Sequence, residues 1–225
     1  MTENKTIFLS PSKLNLYQDC PYCFYLAMIY KKRRPEQPAS TLPRGLDNLI
    51  KKYFDFYRSI KQLPPEIDKQ IKGKLLEDQN LINEWRKTTA FSEPRVYLKE
   101  LNTVIFGGLD ECIIEDDKYI PADYKTRGYD LKEDSTSYYQ TQMDCYNYLL
   151  YENGYQTANL AYLIYYIPKK INKDGVVNFK VEIHSLQTNK ERFSKLVKSA
   201  VEILRSGKPK RNLNCQFCQW MDNID

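Results

Sequence analysis

Apolar residues recur at helical spacing in several long segments of the chain. In segment 44–60 they form a stripe that we expect to be buried, because residues three and four apart share one face of a helix. This stripe consists of Leu46, Leu49, Ile50, Tyr53 and Phe54. The same spacing predicts a helix at 188–205, one or two amphipathic helices at 63–88, and a helix at 135–152. The last helix has four side chains on one face: Tyr139, Met143, Tyr146 and Leu150.

Shorter apolar runs predict strands. Residues 95–125 are expected to form a three-stranded meander, and two further strands are predicted at 158–167 and 176–185. Segment 160–166 is apolar throughout, which is typical of a central strand that is covered on both faces. The sequence therefore predicts an α/β fold with a mixed central sheet of about five strands flanked by helices. We expect residues 1–225 to form one domain, because a chain of this length can bury one large core.

Candidate chemistry is concentrated in the stretch 104–127, where an acidic turn joins two predicted strands. Asp123 and Lys125 are two residues apart and therefore point to the same face of a strand. If the strands pair as a hairpin, Asp110 lies beside Asp123, and the glycine pair that begins at Gly107 leaves open space next to it. Two carboxylates and an ammonium at one place would suit a hard cation such as Mg²⁺, which prefers oxygen ligands. The alternative is an exposed cross-strand ion pair, which contributes roughly a few tenths of a kcal/mol.

The charge balance and the tyrosines are compatible with a nucleic acid partner. Lys and Arg total 34 against 29 for Asp and Glu, which gives a net charge of +5. The 19 tyrosines offer faces on which unpaired bases can stack, although any one tyrosine more often serves packing. The basic run 31–34 is interpreted as a solvated face that would contact phosphates only if it lay beside a DNA channel.

The sequence disfavours two classes of protein: enzymes that use a histidine-activated nucleophile, and membrane-spanning proteins. His184 is the only histidine, so a Ser-His-Asp or Cys-His mechanism would depend on this single residue of a predicted strand. No apolar run approaches the roughly 20 residues that a membrane span needs. We therefore expect no membrane partner and a cytoplasmic location, where stable disulfides are uncommon.

Four of the six cysteines form two C-x-x-C pairs at opposite ends of the chain: Cys20, Cys23, Cys215 and Cys218. Each pair has the spacing of a bidentate metal ligand, and four thiolates suit either zinc or an iron–sulfur cluster. A redox dithiol, or no metal at all, is the alternative. One shared site would join the N-terminal segment 1–34 to the C-terminal segment 206–225. Cys112 and Cys145 are interpreted as ordinary buried residues.

Three motifs in this order resemble the PD-(D/E)xK nuclease superfamily: G-G-L-D at 107–110, P-A-D-Y-K-T at 121–126 and Q-M-D-C-Y at 142–146. They look most similar to the RecB-like exonucleases, including the CRISPR-associated members that hold a cysteine-ligated [4Fe–4S] cluster. The resemblance implies a restriction-endonuclease-like fold, with a catalytic sheet core at 95–186 and a helical segment at 44–90.

The resemblance also assigns catalytic side chains: Asp110, Asp123, Lys125, Gln142 and Tyr146. It implies that Asp110 and Asp123, with the backbone carbonyl of Tyr124, hold one or two Mg²⁺ or Mn²⁺ ions. Lys125 would serve the attacking water, and the two residues on the following helix would align the DNA strand. The resembling nucleases often carry a metal-binding histidine on an earlier helix. This chain has no histidine there, and Asp47 is a candidate substitute ligand.

The expected activity is metal-dependent hydrolysis of DNA, by exonuclease action on single-stranded ends, in DNA repair, recombination or CRISPR adaptation. In the resembling exonucleases one cysteine precedes the nuclease core and three follow it. Here the split is two and two, so zinc stays an alternative to the cluster. Two other functions are kept open: a nucleic-acid-binding module with a slow or inactive site, and a structural subunit of a repair or CRISPR-adaptation complex.

Overall fold

The structure is a computed structural model that describes residues 5–35, 41–132 and 135–221. The helices in this part of the chain are α1 (Pro11–Asp19), α2 (Pro21–Tyr25), α3 (Thr41–Ser59), α4 (Pro65–Asp68), α5 (Gln79–Trp85), α6 (Gln140–Glu152), α7 (Lys190–Arg205) and α8 (Gln216–Met221). The strands are β1 (Ile7–Leu9), β2 (Lys74–Leu75), β3 (Arg95–Leu98), β4 (Thr103–Phe106), β5 (Glu111–Glu115), β6 (Lys118–Thr126), β7 (Leu160–Ile171) and β8 (Val177–Gln187). A π-helical turn at Leu26–Tyr30 follows α2, and short 3-10 turns occur at Lys99–Leu101 and Ser137–Tyr139. None of the described helices is long and apolar enough to cross a membrane.

The strands form two sheets. The larger one has five strands in the order β2-β5-β6-β7-β8, in which β6 and β7 run parallel and the other neighbours run antiparallel. The smaller one has the order β1-β4-β3, with β1 parallel to β4. The expected α/β fold with a mixed sheet of about five strands is therefore confirmed. The apolar segment 160–166 lies in β7, between β6 and β8, as expected for a central strand.

Helices cover both faces of the five-stranded sheet. Alternate side chains of a strand point to opposite faces, so a strand that is apolar throughout offers an apolar surface on each side. On one face, Phe54 of α3 packs against Tyr124 of β6, with 4.6 Å between the ring centroids, in a buried cluster that also contains Ile164 of β7. On the other face, Met143 of α6 packs with Leu163 of β7. Consecutive residues of β7 thus belong to different layers, and the end of β6 lies between α3 and α6.

The structure corrects the prediction for residues 95–125. They form four strands instead of three, and these strands belong to two sheets, since β3 and β4 pair in the small sheet while β5 and β6 pair in the large one. The chain leaves one sheet and enters the other at Gly107 and Gly108. A strand pattern alone does not show such a change of sheet, because both strands keep their own alternation of apolar and polar residues.

Three details of the helical segments also differ from expectation. The helix predicted at 44–60 begins earlier, at Thr41, and ends at Ser59. Leu49 was expected to be buried but is 62% exposed, because the buried face of α3 runs through Ile50, Phe54 and Arg58. Segment 63–88 also contains the two-residue strand β2, which is too short to produce a periodic signal.

A buried ion-pair network ties the start of β5 to α3 and α5. The carboxylate of Glu111 accepts hydrogen bonds from Arg58 Nη2 at 2.6 Å and from the Tyr124 hydroxyl at 2.8 Å. Arg86 lies 3.5 Å from the same carboxylate and donates through Nε to the backbone carbonyl of Asp110 at 2.9 Å. A buried charge is tolerated only when it is paired and hydrogen-bonded. The network therefore fixes the position at which the chain enters β5.

Arg58→Met is expected to lower the free energy of unfolding by about 3–5 kcal/mol, because the Glu111 carboxylate would stay buried without its closest cation. Urea unfolding followed by circular dichroism measures the change. Lys52→Met, on the exposed side of the same helix, is the matched control and should change the value by less than about 0.5 kcal/mol. Equal stability of the two variants would contradict the role given to the Arg58–Glu111 pair.

Candidate active site and four-cysteine centre

Asp123 and Lys125 lie where β6 extends beyond its neighbour β5. The β5–β6 ladder ends at the Glu111–Ala122 pair, whereas β7 continues beside β6 past Lys125. The strand alternation directs both side chains toward α6, on the face opposite to α3. Asp123 is 1% exposed, and its carboxylate forms an ion pair with the Lys125 ammonium. This pair is therefore buried in the protein and is not an exposed cross-strand ion pair.

Gln142 of α6 bonds to both members of this pair. Its amide nitrogen donates to Asp123 Oδ1 at 2.9 Å and to the Tyr146 hydroxyl at 2.7 Å. Its amide oxygen accepts a hydrogen bond from Lys125 Nζ at 3.2 Å. An amide donates and accepts at once, so Gln142 fixes the acid and the ammonium relative to each other. Burial raises the pKa of Tyr146, which therefore stays protonated beside the two acids.

Asp110 reaches the same place from the loop that precedes β5. Glu111 pairs with Ala122 in the β5–β6 ladder, so Asp110 and Asp123 are the next residues of two adjacent chain segments, and their carboxyl groups interact. Burial and then the negative charge of Asp110 raise the pKa of Asp123 to about 7, although Lys125 acts in the opposite direction. Two carboxylates this close need a shared proton or a cation to offset their repulsion. The structure thus brings together all five side chains to which the sequence assigned catalytic roles.

Lys51 of α3 is a residue of this site that the sequence analysis missed. Its ammonium lies 2.7 Å from Asp110 Oδ1 and 2.8 Å from Asp47 Oδ2. Burial opposes its charge, but Asp110 and Asp47 raise the pKa of Lys51, so it is a cation. The i,i+4 spacing of Asp47 and Lys51 was the only available signal, and it is common on exposed helix faces. Asp47, the substitute ligand suggested earlier, is linked to Asp110 through this lysine.

The glycine pair before Asp110 serves close packing, and the expectation of open space beside it was wrong. A Cβ atom at Gly107 would lie 2.9 Å from the Tyr146 ring. A Cβ atom at Gly108 would lie 2.5 Å from the Thr88 side chain and 3.0 Å from the backbone oxygen of Arg86. These glycines let the loop pass between α6 and the segment that follows α5. They bring the next residues of the chain to the end of β6.

The side chains at the end of β6 fit a divalent metal ion. Carboxylate oxygens are hard ligands of the kind that Mg²⁺ and Mn²⁺ prefer. Asp110 and Asp123 crowd negative charge into a buried place, and a divalent ion would offset it. The carbonyl of Tyr124 belongs to the part of β6 that β5 no longer covers, and its role as a ligand stays a prediction.

The single histidine and the two cysteines outside the C-x-x-C pairs do not belong to this site. His184 is in β8, where its ring packs against Tyr165 and its Nε2 lies 3.4 Å from Glu182, in agreement with its interpretation as a strand residue. Cys112 and Cys145 are fully buried, and burial raises the pKa of both thiols. Their interpretation as ordinary core residues is confirmed.

The two C-x-x-C pairs meet at one point, as the sequence predicts. The sulfur atoms of Cys20 and Cys218 are 3.5 Å apart, those of Cys23 and Cys215 are 3.7 Å apart, and all four lie within 4.8 Å of one another. Around a tetrahedral zinc ion with Zn–S bonds of about 2.3 Å, the sulfurs are separated by about 3.8 Å. The centre can therefore bind a single ion as it stands. A [4Fe–4S] cluster places four irons between its thiolates and would require wider spacing, so the identity of the metal stays a prediction.

Arg34 is part of the cysteine centre, which corrects the interpretation of the run 31–34 as a solvated face. Its Nη2 lies 3.5 Å from Cys215 Sγ, its guanidinium packs 4.4 Å from the centroid of the Phe217 ring, and it forms an ion pair with Asp19. The Arg34 side chain is 19% exposed, whereas the three residues before it are exposed. A guanidinium at this place offsets the negative charge of the thiolates.

A family model described as the PD-(D/E)XK nuclease superfamily matches residues 8–222 of the chain. The match spans the three motifs of the candidate site and both cysteine pairs. Members of this superfamily are nucleases that hydrolyse phosphodiester bonds, and they typically use divalent metal ions. No curated protein matches the chain.

The Tm of metal-free Asp110→Asn relative to that of the metal-free wild type is expected to be higher at pH 8 than at about pH 5 by roughly 2–4 °C, the shift that about 1 kcal/mol produces in a domain of this size. The amide keeps the shape of the side chain but removes the negative charge that opposes ionisation of Asp123. Scanning calorimetry in the presence of a chelator measures the change. The variant should also lose most of the Tm increase that Mn²⁺ causes in the wild-type protein, because one ligand is missing.

The stability of the folded protein depends on pH in a direction set by the pKa of Asp123, which is raised to about 7 in the folded protein. An unfolded Asp has a pKa of about 3.9, so the folded state binds this proton more tightly, and stability falls as the pH rises through the interval between the two values. Loss of the contact with Lys51 affects the variant at both pH values, so only the relief of repulsion should differ between them. The Tm of Asp110→Asn relative to the wild type should therefore rise between about pH 5 and pH 8. A difference of equal size at both pH values would argue against repulsion between the two acids.

Cys20→Ser and Cys218→Ser should each lose the bound metal and lower the Tm by at least about 5 °C. The centre closes a loop of 192 residues between Cys23 and Cys215, and closure of a loop of this length stabilises a fold by about 5 kcal/mol in the chain-entropy treatment. Elemental analysis for iron, sulfide and zinc identifies the metal. Cys145→Ala removes a thiol outside the centre and is the control that should retain the metal. Full metal content in either Ser variant would refute a shared four-cysteine site.

Proposed function

Because the chain belongs to the PD-(D/E)XK nuclease superfamily, we propose that it is a deoxyribonuclease that uses Mg²⁺ or Mn²⁺ to hydrolyse phosphodiester bonds. The observation that carries this proposal is the meeting of Asp110, Asp123 and Lys125 in one buried place. Burying two acids and an ammonium together opposes folding unless every charge is compensated. Strongly perturbed groups of this kind concentrate at functional sites.

Each side chain has a distinct task in the proposed reaction. Asp110, Asp123 and the carbonyl of Tyr124 hold the metal ion, which when bound polarises the phosphoryl group and offsets its negative charge. Lys125, held by Asp123 and Gln142, orients the attacking water and stabilises the charge that builds up on the phosphoryl oxygens. The water oxygen bonds to phosphorus and its proton is lost to solvent, the bond from phosphorus to the leaving oxygen breaks, and the leaving oxygen takes up a proton from solvent.

A cleft beside the site supports a single-stranded substrate. Its volume is about 350 Å³, and its lining includes Gln142 and Tyr146 together with Ser12 at the start of α1 and Tyr138. Tyr138 is 67% exposed, so its ring offers a free face on which an unpaired base can stack. In this proposal Gln142 and Tyr146 align the strand, while the exposed aromatic ring holds a neighbouring base.

We further propose that the protein belongs to the RecB-like branch of the superfamily. Two cysteine pairs that flank the nuclease core support this branch, and exonuclease action on single-stranded ends follows from it by analogy. In this branch the cysteine centre holds a [4Fe–4S] cluster, whereas the sulfur separations favour a single zinc ion as the alternative. DNA repair, recombination or CRISPR adaptation, with protein partners from these processes, is the corresponding biological setting.

The proposal is tested with end-labelled single-stranded DNA in the presence of Mn²⁺. The wild-type protein should shorten the strand from one end and leave circular single-stranded DNA intact. Asp123→Ala and Lys125→Ala should each slow cleavage by at least about 100-fold, because each removes a group that acts on the reacting phosphate. Lys118→Ala, on an exposed position of the same strand, is the matched control and should cleave at the wild-type rate.

The other outcomes distinguish the remaining functions. Cleavage of circular DNA would replace the exonuclease assignment with an endonuclease. Tight binding of DNA without cleavage, unchanged in Asp123→Ala, would identify a binding module with an inactive site. Absence of both binding and cleavage would leave a structural subunit, and the nuclease proposal would be wrong for this chain.

A further inference from the structure

Lys51 contacts a residue of the candidate active site that lies outside its own helix. Its ammonium bonds to Asp47 on its own helix at 2.8 Å and to Asp110 on the loop before β5 at 2.7 Å. The side chain is 23% exposed, so this cation sits between two carboxylates and is only partly accessible to water. An ordinary surface pair on α3 would involve Asp47 alone. The contact with Asp110 instead places the lysine against a proposed metal ligand.

We propose that the Lys51 ammonium takes the place of a second divalent ion, so that the site binds one metal ion instead of two. This inference rests on the proposed nuclease function and concerns its metal requirement. In two-metal sites the ions lie about 3.5–4 Å apart and share a bridging carboxylate. Asp110 has this bridging position here, because it contacts Lys51 on one side, and the pairing of β5 with β6 sets it beside Asp123 on the other. Asp47 then binds the internal cation and does not act as a metal ligand.

The charges at the site agree with a single ion. The carboxylates of Asp47, Asp110 and Asp123 face the ammonium groups of Lys51 and Lys125, which leaves one negative charge in excess. One divalent ion turns this excess into a single positive charge, which complements the single negative charge of a phosphodiester. A second divalent ion would raise the total to three positive charges in a partly buried space, where excess charge is penalised.

Lys51 also restrains the ligand geometry. Arg86 holds the backbone of Asp110 through its carbonyl oxygen, while Lys51 holds the carboxylate of the same residue. Asp110 is thereby fixed at both ends before any metal arrives. A lysine that is covalently part of the protein supplies this positive charge without having to be bound from solution.

The inference is tested by counting bound Mn²⁺ by electron paramagnetic resonance, with Asp110→Ala/Asp123→Ala defining the background outside the site. The wild-type protein should bind about one ion, whereas Lys51→Ala should bind about two, as two-metal sites do. Lys51→Gln keeps the length of the side chain without its charge and should also bind about two, which guards against misfolding of the alanine variant. Lys52→Ala removes an exposed lysine of the same helix and should bind as many ions as the wild type.

The dependence of cleavage on Mn²⁺ gives a second readout. Its Hill coefficient should be about 1 in the wild type and rise toward about 2 in Lys51→Gln, because two ions would then be needed. Asp47→Asn added to Lys51→Gln should return the count to that of the wild type, since the second ion would lose a ligand. A wild-type protein that binds two ions, or Lys51 variants that bind only one, would overturn the inference and leave the nuclease proposal intact. A wild-type site that binds no Mn²⁺ would overturn both.

Discussion

Repulsion between two buried carboxylates is the constraint around which the candidate site is arranged. Asp110 and Asp123 lie on adjacent chain segments just beyond the end of the β5–β6 ladder, and burial together with the charge of Asp110 raises the pKa of Asp123 to about 7. Such a pair is held together only if cations or protons surround it. Lys51 contacts Asp110 and Lys125 contacts Asp123, so each acid has its own ammonium. Asp47, which also contacts Lys51, supplies one negative charge in excess, and a divalent ion would offset it.

The distances between these groups depend on how the strands that carry them are held in place. The buried Glu111 carboxylate follows Asp110 directly in the chain, and Arg58 and Arg86 hold it in place. The paired charges set the start of β5, while the parallel pairing of β6 with β7 sets the position of Asp123. One acid is thus located by a side-chain network and the other by a backbone ladder. Their distance is fixed only when both elements are folded.

The sequence predicts those parts of the site that follow from local periodicity. Asp123 and Lys125 share a strand face, and Gln142 and Tyr146 share a helix face, because the strand and helix repeats are known in advance. Lys51, Arg86 and Arg34 could not be identified in this way, since their partners are distant in sequence and are brought near by packing. The same limit explains why the exposure of Leu49 is not predicted by the sequence. Segment 44–60 carries apolar residues on more than one face, and only the docking of α3 on the sheet decides which face is buried.

The cysteine centre and the active site are connected through α1. The helix ends next to Cys20, and Thr141 of α6 donates a hydrogen bond to Gln18 of α1 at 2.7 Å. Leu14 of α1 lies in the same buried cluster as Leu149 of α6. A metal that joins the chain ends therefore holds α1 against the helix that carries Gln142. Among the described residues the sulfur atoms contact none of the groups at the end of β6, so α1 is the structural link between the cysteine centre and the candidate site.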